Sequence, residues 1–145
     1  MPTSTHLPSP FPDGEREYDA RSPAWSRLGL KLADLGEGTA LVEMTPTPDM
    51  ASESGVVDGG IISALADAAM SRSLRGLGSV ATTAVCFDLK LTFISAVKAG
   101  DNLRATATVV HAGRRTAVTE CQIESGEGRL IATASATFAV TRDKE

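Results

Sequence analysis

Aromatic side chains are scarce: Phe, Trp and Tyr together make up 4% of the 145 residues, with one Trp and one Tyr. So few rings cannot furnish a base-stacking platform for single-stranded nucleic acid. Positive charge is also in short supply. Lys and Arg number 14 against 18 Asp and Glu, for a formal net charge of -4, and the basic cluster is no larger than the pair Arg114-Arg115. Proteins that neutralise phosphate backbones carry a basic footprint that this chain lacks, so no nucleic-acid partner is expected. Cysteine and histidine are each present twice, as Cys86 and Cys121 and as His6 and His111. Their spacing fits neither a disulfide framework nor a zinc site, so no metal and no cofactor are expected. No apolar run reaches the roughly 18 residues that a membrane-spanning helix needs. The first residues hold neither a basic nor an apolar leader region. A cytoplasmic, reducing compartment and no membrane partner are the corresponding expectations.

What remains is an ordinary globular composition, 42% hydrophobic and 22% charged, of a length suited to one domain. Residues 1–21 include Pro2, Pro8, Pro10 and Pro12. Proline removes backbone donors and fixes φ, so this stretch is expected to be a flexible tail, with the folded domain over 22–145. Ser22 as N-cap and Pro23 at the first helical position predict a short helix through Trp25 and Leu28. Two strands should follow, joined at Gly36-Glu37-Gly38 and ended by Thr45-Pro46-Thr47-Pro48. From Gly59 to Leu74 the chain is rich in Ala, Leu and Met, holds no proline, and runs into Gly76 and Gly78. That predicts a helix with a glycine stop, apolar nearly all round and therefore buried.

Four alternating segments complete the chain. Val85, Phe87, Leu89, Leu91 and Phe93 are expected on one face of a strand, with Cys86, Asp88, Lys90 and Thr92 on the other. The same period runs through Leu103 to His111, Ala117 to Ile123, and Leu130 to Val140. The connections are far too short for parallel crossovers, so the sheet should be antiparallel with one packed face. The expected fold class is α+β: six antiparallel strands curved around one long central helix.

Asp67 is the residue out of keeping with its surroundings. It lies amid Leu65, Ala66, Ala68 and Ala69, and its helical neighbours three and four residues away are Ser63, Ala64, Met70 and Ser71. None of these is a cation, and a desolvated carboxylate is costly. One reading is a general base or nucleophile whose pKa is raised by burial. The other is a structural ion pair with Arg72, Arg75 or an arginine from elsewhere. At the helix start, Val57-Asp58-Gly59-Gly60-Ile61 places free N–H groups at the positive end of the dipole, where an oxyanion or carbonyl oxygen is favoured. Asp58 itself fits an N-cap. Eight residues separate Gly59 from Asp67, roughly 12 Å along a helix axis. One chain therefore has difficulty bringing both to a single atom, and a dimer that pairs Asp67 of one subunit with the helix start of the other would meet that difficulty.

The runs Gly55 to Ala69, Asp88 to Ile94, Lys98 to Asp101, Val109 to Arg115 and Leu130 to Ala134 resemble the hotdog-fold acyl-CoA thioesterases, most closely the PaaI-like branch. The resemblance implies a helix wrapped by a six-stranded sheet, homodimers joined through their sheets, often homotetramers, and active sites between subunits. The family acid falls on Asp67. The glycine whose amide polarises the thioester carbonyl falls on Gly59, next to Gly60. A basic turn that meets CoA phosphates falls on Arg114 and Arg115. Three positions depart from the family pattern: Asp58 replaces a His, Ser52 an Asn, and Cys86 a Thr or Ser. Ser52, Asp58, Gly60, Ser71 and Cys86 are the expected lining of the substrate site. The implied activity is hydrolysis of acyl-CoA or aryl-CoA thioesters to a carboxylate and CoA. A non-catalytic acyl-CoA-binding protein is the alternative that the departures motivate. Hydratase chemistry pairs a His with an acid, and no histidine lies on or beside the helix.

Overall fold

The computed structural model describes residues 22–77 and 83–141. The expected N-terminal tail and Gly78 lie outside these residues. Helix α1 spans Pro23–Leu28. Its start follows from local chemistry: Ser22 is extended, its Oγ accepts the Trp25 N–H at 3.5 Å, and Pro23 has no N–H to leave unpaired. It stops at Gly29, whose φ of 68° is costly for residues with a Cβ. Strands β1 (Lys31–Gly36) and β2 (Thr39–Met44) follow, then a single 3-10 turn at Pro48–Met50. The long helix α2 covers Gly59–Arg75. Strands β3 (Thr83–Phe93), β4 (Leu103–Ala112), β5 (Thr116–Ser125) and β6 (Leu130–Thr141) complete the chain.

The six strands form one sheet in the order β1-β2-β4-β5-β6-β3, antiparallel throughout. Helix α2 lies across one face, mainly over β2, β4 and β5. Leu103, Ala105 and Ala107 are buried between exposed Arg104, Thr106 and Thr108, as the alternation predicts. Val42, Met44, Leu103, Ile123 and Phe138 from the sheet meet Leu65, Ala66, Ala69 and Met70 from the helix. Each large apolar side chain so buried contributes about 1.5–3 kcal/mol. Alanines at 105, 107, 117, 132 and 136 keep the sheet surface low under the helix. Thr119 is buried among them, and its hydroxyl donates to the Ala136 carbonyl at 3.4 Å.

One expectation is corrected here. The pairing of β3 with β6 steps from Cys86↔Phe138 to Asp88↔Thr137, which makes Phe87 an inserted bulge residue. Ala84 and Cys86 therefore pack toward the core together with Leu91, while Val85 and Phe87 are 65% and 62% exposed. A strict period of two places Val85, Phe87 and Leu91 on one face, and the bulge resets that phase. The glycine stop stands as expected, with Gly76 as the C-cap of α2. Its φ is −63°, so the helix does not end in a left-handed turn. Glycine stands there because a Cβ would lie 2.1 Å from the Gly36 carbonyl oxygen, where the end of α2 meets the end of β1.

Candidate active site

Helix α2 opens at Asp58, whose carbonyl accepts the N–H groups of Ile61 and Ile62 at 3.0 and 3.4 Å. Asp58 holds the N-cap position, but its carboxylate makes no capping hydrogen bond. The expectation of a side-chain cap thus fails. The exposed carboxylate is left at the mouth of the helix. Gly59 is the first helical residue, and its N–H has no acceptor among the described residues. A Cβ on Gly59 would sit 3.1 Å from the Phe93 ring, whereas one on Gly60 would meet nothing within 4 Å. Phe93 therefore approaches the helix start closely because Gly59 has no side chain. A pocket of about 340 Å³ opens here, lined by Val57, Gly59, Ile62, Phe93, Ile94, Val97 and Ile131 among others. Its character is apolar, with backbone donors at one wall.

Asp67 lies two helical turns further on and lines a different pocket. That one, of about 180 Å³, is bounded by Ala24, Trp25, Leu28 and Leu30 on one side and Ala64, Asp67, Ala68, Ser71 and Arg72 on the other. Asp67 is half-buried. No hydrogen bond or ion pair to its carboxylate occurs among the described residues. Ser63, four residues before it, turns its hydroxyl instead to the Gly59 carbonyl at 2.8 Å. Desolvation raises the Asp67 pKa above its ordinary 3.8. The structural alternative, an arginine clamp, is not what holds this residue. Arg72 shares the pocket, but its guanidinium lies over the Trp25 ring, 4.7 Å from the centroid.

Cys86 faces the same region from β3. Its Sγ donates to the Asp88 carbonyl at 3.5 Å. Burial raises its pKa first, and the negative charges of Asp67 and Asp88 raise it further. A thiol held protonated in this way is a weak donor and a poor nucleophile at neutral pH. Burial pushes Cys121 up to about 12. The structure thus brings Asp67 and Ser71 to one pocket, with Cys86 lining neither pocket but near enough to feel the Asp67 charge, and keeps Gly59, with its neighbours Asp58 and Gly60, at the helix start. Ser52 lies apart in an exposed turn, where its Oγ is 2.9 Å from that of Ser54 and its carbonyl accepts the Gly55 N–H at 2.9 Å. Arg114 and Arg115 are exposed at the β4–β5 turn and line neither pocket. Among the described residues no cluster of His, Cys, Asp and Glu could hold a metal ion, and no helix is long and apolar enough to cross a membrane.

Two residues of these pockets escape sequence reasoning. Phe93 reads in the sequence only as one face of a strand, and the small glycine opposite is the signal for its approach. Trp25 reads only as part of α1. It is the sole tryptophan, but it lies far in sequence from Asp67, and nothing near it signals the pocket it closes.

Comparison with known proteins identifies the family. The thioesterase superfamily model matches residues 54–132, which include both Gly59 and Asp67. Acyl-coenzyme A thioesterase PaaI of Escherichia coli (strain K12) is 33% identical over 116 residues, 80% of this chain and 79% of that protein. The structure of the E. coli PaaI protein from the phenylacetic acid degradation operon superposes with a TM-score of 0.81 at 26% identity, covering 88% of this chain and 91% of that one. A mutant of the phenylacetic acid degradation protein PaaI from Thermus thermophilus gives a TM-score of 0.76 at 30% identity, over 83% of this chain and 100% of that one. Fold and relatives together define a hotdog-fold thioester hydrolase. The chain belongs to the thioesterase superfamily, in its PaaI-like branch.

Proposed function

We propose that this protein hydrolyses acyl-CoA thioesters, aryl-CoA esters among them, to a carboxylate and free CoA, with Asp67 acting on the thioester carbonyl as general base or nucleophile. The observation that carries the assignment is a half-buried carboxylate with raised pKa and, among the described residues, no ion-pair partner, in a pocket on the long helix. Desolvation makes such a group a stronger base than an exposed Asp, and its ionised form is also a competent nucleophile. As base it takes a proton from water, whose oxygen attacks the carbonyl carbon; the tetrahedral intermediate then expels CoA thiolate. The Gly59 amide donates to the oxyanion that develops in that step. Ser71 and Cys86 shape the Asp67 side, and Asp58 and Gly60 border the donor side. Arg114 and Arg115, exposed at the β4–β5 turn, are the residues offered to the CoA phosphates, and Ser52 in its exposed turn is the remaining candidate substrate contact.

The donor and the acid sit at different pockets of one chain, so the complete site forms between two subunits. Edge strand β3 supplies a reason for association: it leaves Val85, Phe87, Phe93 and the following Ile94 more than half exposed, and an exposed apolar edge is a template for pairing. A homodimer or homotetramer of a cytoplasmic protein, with residues 1–21 as an appended tail and 22–145 as the domain, completes the reading. Release of CoA from a panel of acyl- and aryl-CoAs, read with a thiol-detecting dye, tests it. Asp67→Asn and Asp67→Ala should lower kcat by about 10²–10⁴-fold. Turnover that survives both would remove Asp67 from the chemistry. Because Asp58 stands where the family resemblance implies a His, tight ester binding without release by the wild type is the specific outcome that would favour a binding protein.

A further inference from the structure

The wall of the Asp67 pocket that faces away from α2 is built by the short helix α1, whose placement is fixed from several sides. The Trp25 N–H is bonded to Ser22 Oγ at 3.5 Å, and the Trp25 carbonyl accepts the Leu30 N–H at 3.0 Å. Its ring is covered by the Arg72 guanidinium at 4.7 Å, and Arg72 is itself only 6% exposed. The indole is thus held from its backbone and from its face by an attraction that strengthens when desolvated. The space it closes is about 180 Å³. An apolar cavity of about 150 Å³ accepts a benzene-sized guest. Trp25, Leu28, Leu30, Ala64 and Ala68 give such a guest apolar walls, while the polar groups of the lining are Asp67, Ser71 and Arg72, the last turned onto the Trp25 ring.

A thioester carbonyl placed at Asp67 has two substituents. One is the sulfur of a long, polar, multiply charged carrier, which a small apolar space cannot take. The other is the acyl carbon. We propose that Trp25 is a specificity-determining residue: the indole, positioned by Arg72, is the end wall of the acyl compartment and limits the acyl group to about one ring or a short branched chain. This rests on the hydrolytic reading above and adds to it the residue that sets substrate size.

The test compares CoA release from straight-chain acyl-CoAs of increasing length and from a single-ring arylacetyl-CoA. Wild type should favour the single-ring and short esters. Trp25→Ala should raise the ratio of kcat/KM for long over short esters by about tenfold or more, mostly through KM, with Trp25→Phe between the two. Ala64→Val should move the ratio the opposite way. Because Trp25 is the only tryptophan, its emission also reports on the wall without any substitution there. In Asp67→Asn protein, emission should shift on titration with an acyl-CoA and stay unchanged with CoA alone. The proposal is overturned if the length ranking of Trp25→Ala matches wild type, or if emission is unchanged at ester concentrations where calorimetry shows binding. A ranking altered instead by Phe93→Ala would place the acyl group in the other pocket and would also overturn it. Wild type that releases CoA from no ester refutes the hydrolytic reading, and the emission titration still decides the wall.

Discussion

Helix α2 carries two pockets of unlike chemistry. At its first turn, backbone N–H groups meet an apolar chamber walled by Phe93, Ile94 and Ile131. In its middle, an acid meets a smaller chamber walled by α1. The first offers free N–H donors of α2; the second offers a desolvated acid but no free donor from α2, whose mid-helix N–H groups are spent on the helix itself. A single helix cannot supply both functions at one point, because free donors exist only at its end. A carbonyl that must be polarised and attacked at once therefore calls for the end of one helix and the middle of another. The lesson is that an incomplete site within one chain can follow from helix geometry, and the proposed self-association is what would complete it.

That contrast can be broken at either pocket. The largest effect expected at the first is from Gly59→Pro. Proline is tolerated at the first helical position, and Asp58 before it already has the extended backbone that proline requires, with φ −62° and ψ 141°. The substitution removes the donor while sparing the helix, and CoA release should fall by about 10²–10³-fold. Gly59→Ala keeps the N–H and adds only a methyl that presses on Phe93 at 3.1 Å. If the two variants lose activity equally, the N–H is not what matters there.

At the second pocket pH provides a smaller, graded effect. The carboxylate is the active form, so kcat should rise with pH through the raised Asp67 pKa, with an acid limb above that of an ordinary Asp. The stability effect has the opposite sense. A pKa raised in the folded state means that folding favours the protonated form; this contribution is fully present below about the unfolded value of 3.8 and is lost as pH rises through the folded one. Asp67→Asn should therefore raise the melting temperature at neutral pH, with the gain vanishing in acid. A variant equally or less stable at neutral pH would indicate a partner for the carboxylate. The smallest effect is expected from Ser22→Ala. Its capping bond is long, at 3.5 Å, so denaturant melts should show a loss near the low end of the usual range, about 0.5 kcal/mol. The change should affect the Asp67 pocket through α1 and leave the Phe93 pocket alone.

Much of this molecule can be read from its sequence because its signals are local. Ser22-Pro23 and Gly29 bracket α1 by capping chemistry, and the alternation matches burial over 103–108 of β4, all of β5 and β6 from Ala132 on; it fails at His111, exposed past a bulge, and at Ile131, which is fully buried. Asp67 stands out because helical neighbours are fixed by spacing, and none of them is a cation. What escapes is non-local. The Phe87 bulge depends on how β3 pairs with β6, and the role of Gly76 on the carbonyl of Gly36, distant in sequence. Trp25 reaches the Asp67 pocket across a similar separation. The capping role expected of Asp58 fails for another reason: position and backbone conformation permit a cap, but the side-chain rotamer decides whether the bond forms.

The central claim is that one working site takes its acid from one chain and its donor from another. Asp67→Asn and Gly59→Pro proteins, each inactive alone, should be unfolded together, refolded as a mixture and assayed for CoA release. Random pairing gives half mixed dimers, each with one intact site of two, so activity should return to about one quarter of wild type. A mixture no more active than the average of its two parents would contradict the claim and place acid and donor on the same chain.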